Sequence, residues 1–265
     1  MTVINTNVKS LVAQNAMSVN ARDQENAMQQ LSTGLRINSS KDDAAGMAIA
    51  SRMTSQIKGL DQAVRNANDG ISMLQTADAA LSTVSNMMQR QHELAVQAGS
   101  STYSAEDVTA LTNEFDSLTA EIGRITDGTQ WAGQTLFKAH GTDDDRKIQV
   151  SDDAAGGTND VITIDLQVPD LTTLTIDTPD DSKSLLVDVN SLRAKIGSTV
   201  NRLTYAADNA ASISQNMSAS RSRIQDTDYA KASSELARTQ IIAQASTAML
   251  AQANQSSQSV LALLK

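Results

Sequence analysis

The sequence predicts a mainly α-helical protein: long coiled-coil-like helices in a slender antiparallel bundle, with a small β-hairpin region in the middle. Three observations carry this expectation. Apolar residues recur at alternating steps of three and four along most of the chain, the spacing of a helix that packs along one seam. Helix breakers are sparse at the end: both prolines, Pro169 and Pro179, lie in the middle and no glycine follows Gly197. Aromatic residues make up only 2% of the chain. Large aromatic side chains dominate thick cores, so Ala, Leu, Ile, Val and Met point instead to narrow helix-to-helix seams.

Taken in order, residues 1–41 begin with a charge-poor helical stretch from Val3 to about Leu31, which reaches its first break at Gly34. A long helix follows, from about Asp42 to Ala98. Its seam runs through Met53, Ile57, Leu60, Val64, Ala67, Ile71 and Leu74, then Leu81 and Met88. Asp78 is a polar member of that register, and Val84 stands one position out of line. Gly59 and Gly70 lie inside the helix and weaken it slightly. At 1.5 Å per residue it is about 85 Å long. Asp42 and Asp43 suit a helix start, where the dipole favours acids.

After Gly99, Ser104-Ala-Glu-Asp107 has the form of a capping box and opens a second helix. Its seam is Val108, Leu111, Phe115, Leu118, Ile122 and Ile125, and Asp127-Gly128 ends it. From about 131 to 182 the period changes to two. Val161 to Val168 reads as a strand, with shorter candidates at Ile148–Val150 and Leu171–Ile176, and Pro169 confines its strand to an edge. A third long helix returns from about 183 to 225, with Val189, Leu192, Ile196, Leu203, Ala210, Ile213, Met217 and Ile224 in one register. Residues 226–265 are helical again. The expected organisation is thus an assembly domain from 1–41 and 226–265, and a long-helix domain from 42–182 and 183–225.

Charge is distributed unevenly. The formal net charge is −9. Gly141 to Asn190 holds twelve aspartates against three basic residues, which accounts for the whole imbalance. That insert is expected to be a solvated outer surface, with Asp143-Asp144-Asp145 in a loop. In contrast, Thr239 to Leu264 has no charged residue. A free-standing surface helix carries charge on its outer face, so two charge-poor amphipathic ends imply a protein partner, and their likeness lets them pair with each other and with copies of themselves.

No enzyme is expected. His92-Glu93 begins a zinc-protease pattern, but the second His would have to stand where Val96 is. No phosphate loop, Ser-His-Asp set or paired carboxylate stands out, so catalytic residues, cofactor and metal are all expected to be none. Cysteine is absent, which excludes disulfides and thiolate metal sites. Met1 to Ala21 has one charge, Lys9, and no continuous apolar run, so no secretory signal is visible. No membrane insertion and no nucleic acid partner is expected.

Several blocks resemble one family. Ile4-Asn-Thr-Asn7, the run from Gln30 to Gly46, Arg65 to Ser72 and Gln75 to Asp78 are similar to the N-terminal signature of bacterial flagellins. Arg221 to Tyr229 and the run to Lys265 resemble the flagellin C-terminus. The likeness covers roughly 1–137 and 183–265, in order.

That resemblance implies a structural subunit of an extracellular helical filament for motility, with the termini in an inner tube and the long helices around it. It also implies export through the flagellar type III apparatus without a cleaved signal, a cytoplasmic chaperone on the C-terminal segment, and filament cap and hook-associated proteins as neighbours. Gln89 to Gln97 is similar to the family segment that innate toll-like receptors recognise; by that likeness Gln89, Arg90, Leu94 and Glu114 are receptor or inter-subunit contacts. The family often has Leu where Met88 stands and Arg where His92 stands, and the latter difference removes a bidentate donor. Rival readings are a hook-associated junction protein and a coiled-coil secretion or adaptor protein.

Overall fold

The computed structural model describes residues 7–137, 146–151, 160–169, 174–177 and 179–262. Within them the order is α1 (Val8–Thr33), α2 (Ala44–Ala98), α3 (Ala105–Gly128), β1 (Gln130–Trp131), β2 (Gln134–Thr135), β3 (Arg146–Gln149), β4 (Val161–Ile164), α4 (Pro179–Gln225) and α5 (Tyr229–Ala262). The protein is mainly α with small antiparallel strand pairs, as the seam spacing predicts. Its contacts form two compact units, Met1–Ser55 with Asn216–Lys265, and Gln56–Gln215.

In the first unit α1 and α5 run antiparallel. Asn20 Nδ2 donates to the Thr239 carbonyl at 2.8 Å, and Asn7 Nδ2 donates to the Ala253 carbonyl at 3.2 Å. The buried contacts are small or polar: Asn20, Ala27, Ala232 and Thr239. The two connections that flank this pair grip each other. Gly34, at φ 73°, caps α1 by donating to the Gln30 carbonyl. Arg36 N–H then donates to the Gln225 carbonyl at 2.6 Å and Thr227 N–H to the Gly34 carbonyl at 2.9 Å, an antiparallel bridge of Leu35 with Asp226. Left-handed backbone favours glycine, and a Cβ at Gly34 would also meet Tyr229 Oη at 3.1 Å.

At the start of α2 the two acids divide the work. Asp42 Oδ2 accepts from the Ser39 and Asn38 amides, and Asp43 Oδ1 accepts from Gly46 N–H at 2.8 Å, satisfying an orphan donor of the first turn.

In the second unit α2 buries two stripes rather than one. The expected seam is present in Ile57, Leu60, Ala67, Leu74, Leu81 and Met88. A second, seven residues apart, runs through Ala63, Gly70, Ala77, Val84 and Gln91, and explains why Val84 stands out of line. Met53, Val64 and Ile71, expected in the seam, remain partly exposed.

Two stripes are needed because α2 is covered from several sides. The antiparallel helix α4 bonds it through Ser214 Oγ to Asp61 Oδ1 and Arg193 Nε to Asp78 Oδ1, each at 2.9 Å. From another side, α3 covers Gln91. Strand β3 lies over Gly70, where a Cβ would stand 2.1 Å from Ile148 Cδ1. Gly70 is therefore a close-approach position, and the helix continues through it.

The Ser104–Asp107 capping box forms as expected, each residue's side chain accepting from the other's backbone amide. Strand β3 pairs antiparallel with β4, Ile148 opposite Ile162. Of the expected strand to Val168, the regular ladder with β3 ends at Ile164; Gln167 makes an isolated bridge beyond it, Leu166 and Val168 stay buried and Asp165 is exposed. The hairpin β1–β2 is not anticipated by the spacing; its turn uses Ala132 (φ 50°) and Gly133 (φ 80°), the two positive values a tight two-residue turn needs. The candidate Leu171–Ile176 falls partly, and Asp143 to Asp145 wholly, outside the described residues. Helix α4 starts at Pro179, earlier than expected; proline suits a first helical turn, where its missing N–H costs nothing.

Candidate functional site

The candidate contact patch is built where α3 turns back along α2. Arg90 Nε donates to Glu114 Oε1 at 3.0 Å, and Arg90 Nη1 donates to Glu93 Oε2 at 3.2 Å. The side chains stay open, with Arg90 48% and Glu114 46% exposed. Both carboxylates raise the Arg90 pKa above its ordinary value, the Glu114 hydrogen bond most. Gln89 is also exposed. Three of the four expected contact residues, Gln89, Arg90 and Glu114, thus reach the surface on neighbouring helices.

Leu94 does not. It has no exposed surface and belongs to the α2–α3 core with Met88, Phe115 and Ile122. Its role as a contact is corrected accordingly: it supports the patch from beneath, because its helical position turns it into the seam. His92 is half-buried and hydrogen-bonded or otherwise paired.

Gln91 is the residue that seam spacing alone misses. It is completely buried, with Nε2 donating to Thr119 Oγ1 at 2.7 Å and to the Phe115 carbonyl at 3.4 Å. The available signal was its place three residues after Met88 and three before Leu94.

A second candidate surface lies on the terminal unit. Val8, Val12, Ala16, Ile242 and Met249 line an apolar groove of about 710 Å³. Of these, Val8, Val12 and Met249 are more than half exposed, at 56%, 64% and 65%. Single exposed apolar residues are ordinary, but a contiguous apolar surface marks an interaction site. Asn7, Asn20 and Thr239 meanwhile fasten α1 to α5, so the pair offers this surface as one body. Among the described residues no group of three His, Cys, Asp or Glu could hold a metal ion, and no helix is long and apolar enough to cross a membrane.

Comparison with known proteins identifies the family. Residues 4–142 match the bacterial flagellin N-terminal helical region, and 182–264 match the bacterial flagellin C-terminal helical region. A flagellin of Halalkalibacterium halodurans is 41% identical, covering 99% of this chain and 100% of its own. A flagellin of Bacillus subtilis is 36% identical over 99% of each. The crystal structure of Bacillus cereus flagellin is 31% identical, with a TM-score of 0.48, over 59% of this chain and 94% of that one.

Proposed function

This chain belongs to the bacterial flagellin family, and from that premise we propose that α1 and α5 form the inner assembly layer of an open, extracellular helical homopolymer. It is a structural subunit of the flagellar filament and not an enzyme. One observation supports the mechanism best: the α1–α5 pair exposes Leu11, Val12, Ile241 and Met249 in stretches, 8–21 and 239–262, whose one charged residue is Lys9. Burying that surface against neighbouring copies removes apolar area from water. Contacts that do not close on themselves give a filament rather than a ring. Residues 1–41 and 226–265 form this layer, and 42–225 the layer around it.

Export belongs to the same reading: the type III apparatus carries the chain out, a chaperone shields the charge-free C-terminal segment, and cap and hook-associated proteins bound the polymer. The Arg90–Glu114 patch serves neighbouring subunits in the filament and an innate toll-like receptor in the monomer. Removing Thr239 to Lys265 tests the assembly reading. The truncated protein is expected to stay soluble and fail to polymerise when seeded, as seen by electron microscopy. Filaments of normal diameter from the truncated protein would overturn it.

A further inference from the structure

The chain has no cysteine, so methionine supplies all of its sulfur. Met249 is the methionine that lines the α1–α5 groove, where it shares the wall with Val8, Val12, Ala16 and Ile242. It stands two helical turns after Ile242, so the two lie on one stripe of α5. The residue is 65% exposed. Among the other described methionines, Met73 and Met88 are buried, and Met28 alone is comparably open, at 54%. Met28 lies outside the groove, more than three turns of α1 beyond Ala16 and about 120° around the helix from it.

A methionine at this place suits a surface that must be covered. Its thioether is uncharged, and its unbranched stem adapts to an apolar partner. A peroxide changes that character. Sδ attacks one peroxide oxygen, the S–O bond forms as the O–O bond breaks, and the displaced oxygen takes up a proton and leaves as water. The sulfur is oxidised by two electrons and the peroxide is reduced by two. The product, a sulfoxide, is polar and accepts hydrogen bonds. In the free chain water satisfies it. A second copy that covers the groove strips that water away, and a polar group buried without equivalent partners is costly. Ser246 and Gln252, the groove's neutral side-chain donors on α5, at best replace part of the lost hydration.

We infer that Met249 is an oxidation site at which a peroxide keeps the free subunit out of the polymer. Access to Sδ and burial of the groove exclude each other, so oxidation acts before assembly and the assembled subunit is protected. This rests on the reading of α1 and α5 as the assembly layer.

The test uses the full chain. Monomers are partly oxidised with hydrogen peroxide and polymerised from seeds, and the sulfoxide at each methionine is measured by peptide mass spectrometry in filaments and supernatant. Met249 sulfoxide is expected to be enriched in the supernatant on the order of tenfold, as a lost buried hydrogen bond implies, and Met28 sulfoxide to divide evenly. Met249→Leu, treated in the same way, is expected to keep its assembly, whereas Met28→Leu loses it as the parent does. Even division of Met249 sulfoxide, or equal enrichment of Met28 sulfoxide, would overturn the inference. Intact filaments exposed to peroxide distinguish that failure from failure of the assembly reading. Slower oxidation of Met249 in filaments than in monomers shows that the groove is covered; equal rates sink the assembly reading and this inference with it.

Discussion

Arg193 of α4 donates through Nε to Asp78 Oδ1 of α2 at 2.9 Å, so the one acidic residue in the α2 seam register is answered by a guanidinium on the returning helix. The side chains are 32% and 43% exposed. Water reaches the pair, but each residue's stem is held against the neighbouring helix. Asp78→Ala is expected to destabilise the protein by about 1 kcal/mol, the upper range for accessible ion pairs. Arg193→Ala is expected to cost a similar amount, and Asp78→Ala with Arg193→Ala less than the sum of the two, because no charge is then left alone. Urea unfolding of both single variants and the double variant gives the coupling; a cycle that sums to zero refutes the pairing.

Gly34→Ala tests the connection between the terminal helices. The left-handed φ of 73° and the nearby Tyr229 Oη both oppose a Cβ. A cost of about 1–2 kcal/mol is expected from backbone conformation, read as a lower thermal midpoint. Combining it with Tyr229→Ala should recover only the steric part. An unchanged midpoint in Gly34→Ala means that the connection relaxes freely.

The capping box at α3 makes a pH prediction. Asp107 titrates below its ordinary value of 3.8, chiefly because its carboxylate accepts from the Ser104 hydroxyl and then from the Ser104 amide. A carboxylate with a depressed folded-state pKa adds stability that is fully present above the unfolded value. That stability is lost as pH falls through the folded value. Ser104→Ala is expected to move the Asp107 pKa up toward 3.8 and to shrink the acid-induced loss of stability below about pH 4. Carbon-detected NMR titration of Asp107 reads the first effect directly; an unmoved pKa shows that the box does not hold in solution.

Assembly should also order the ends. A helix pair with few large buried side chains is marginal by itself, and α1 and α5 bury mainly Asn20, Ala27, Ala232 and Thr239 against each other. Circular dichroism is expected to show more helix per residue in the polymer than in the monomer. Equal helicity in the two states counts against coupled ordering.

The receptor reading rests on Arg90, whose guanidinium is exposed and held by two carboxylates. Arg90→Ala is expected to weaken toll-like receptor binding on the order of 30-fold, as truncation of an arginine anchor does. His92→Arg, which adds an always-charged donor, is expected to strengthen it. Binding by monomers, with assembly assayed in parallel, separates the two roles; parent-like binding by Arg90→Ala removes the receptor role from this patch.

Local rules made much of this protein readable from the chain. The three-and-four spacing identifies α2, α3 and α4 because a seam repeats every turn or two of the same helix. Ser104 and Asp107 identify a helix start because both partners of the cap lie within three residues. The charge-free C-terminal segment implies a partner because an isolated helix needs a solvated face. Tertiary structure alone decided what depends on residues distant in sequence. Leu94 and Arg90 lie four positions apart, and only the placement of α3 turns one inward and leaves the other open. Val84 and Gln91 are unexplained by a single seam and become necessary once α2 is covered by α3, α4 and β3 together. Gly70 reads as a flaw in a helix until Ile148, far along the chain, needs the space. Periodicity reports which faces are buried; how many neighbours a helix has, and in which register they meet it, depends on side chains that only folding brings together.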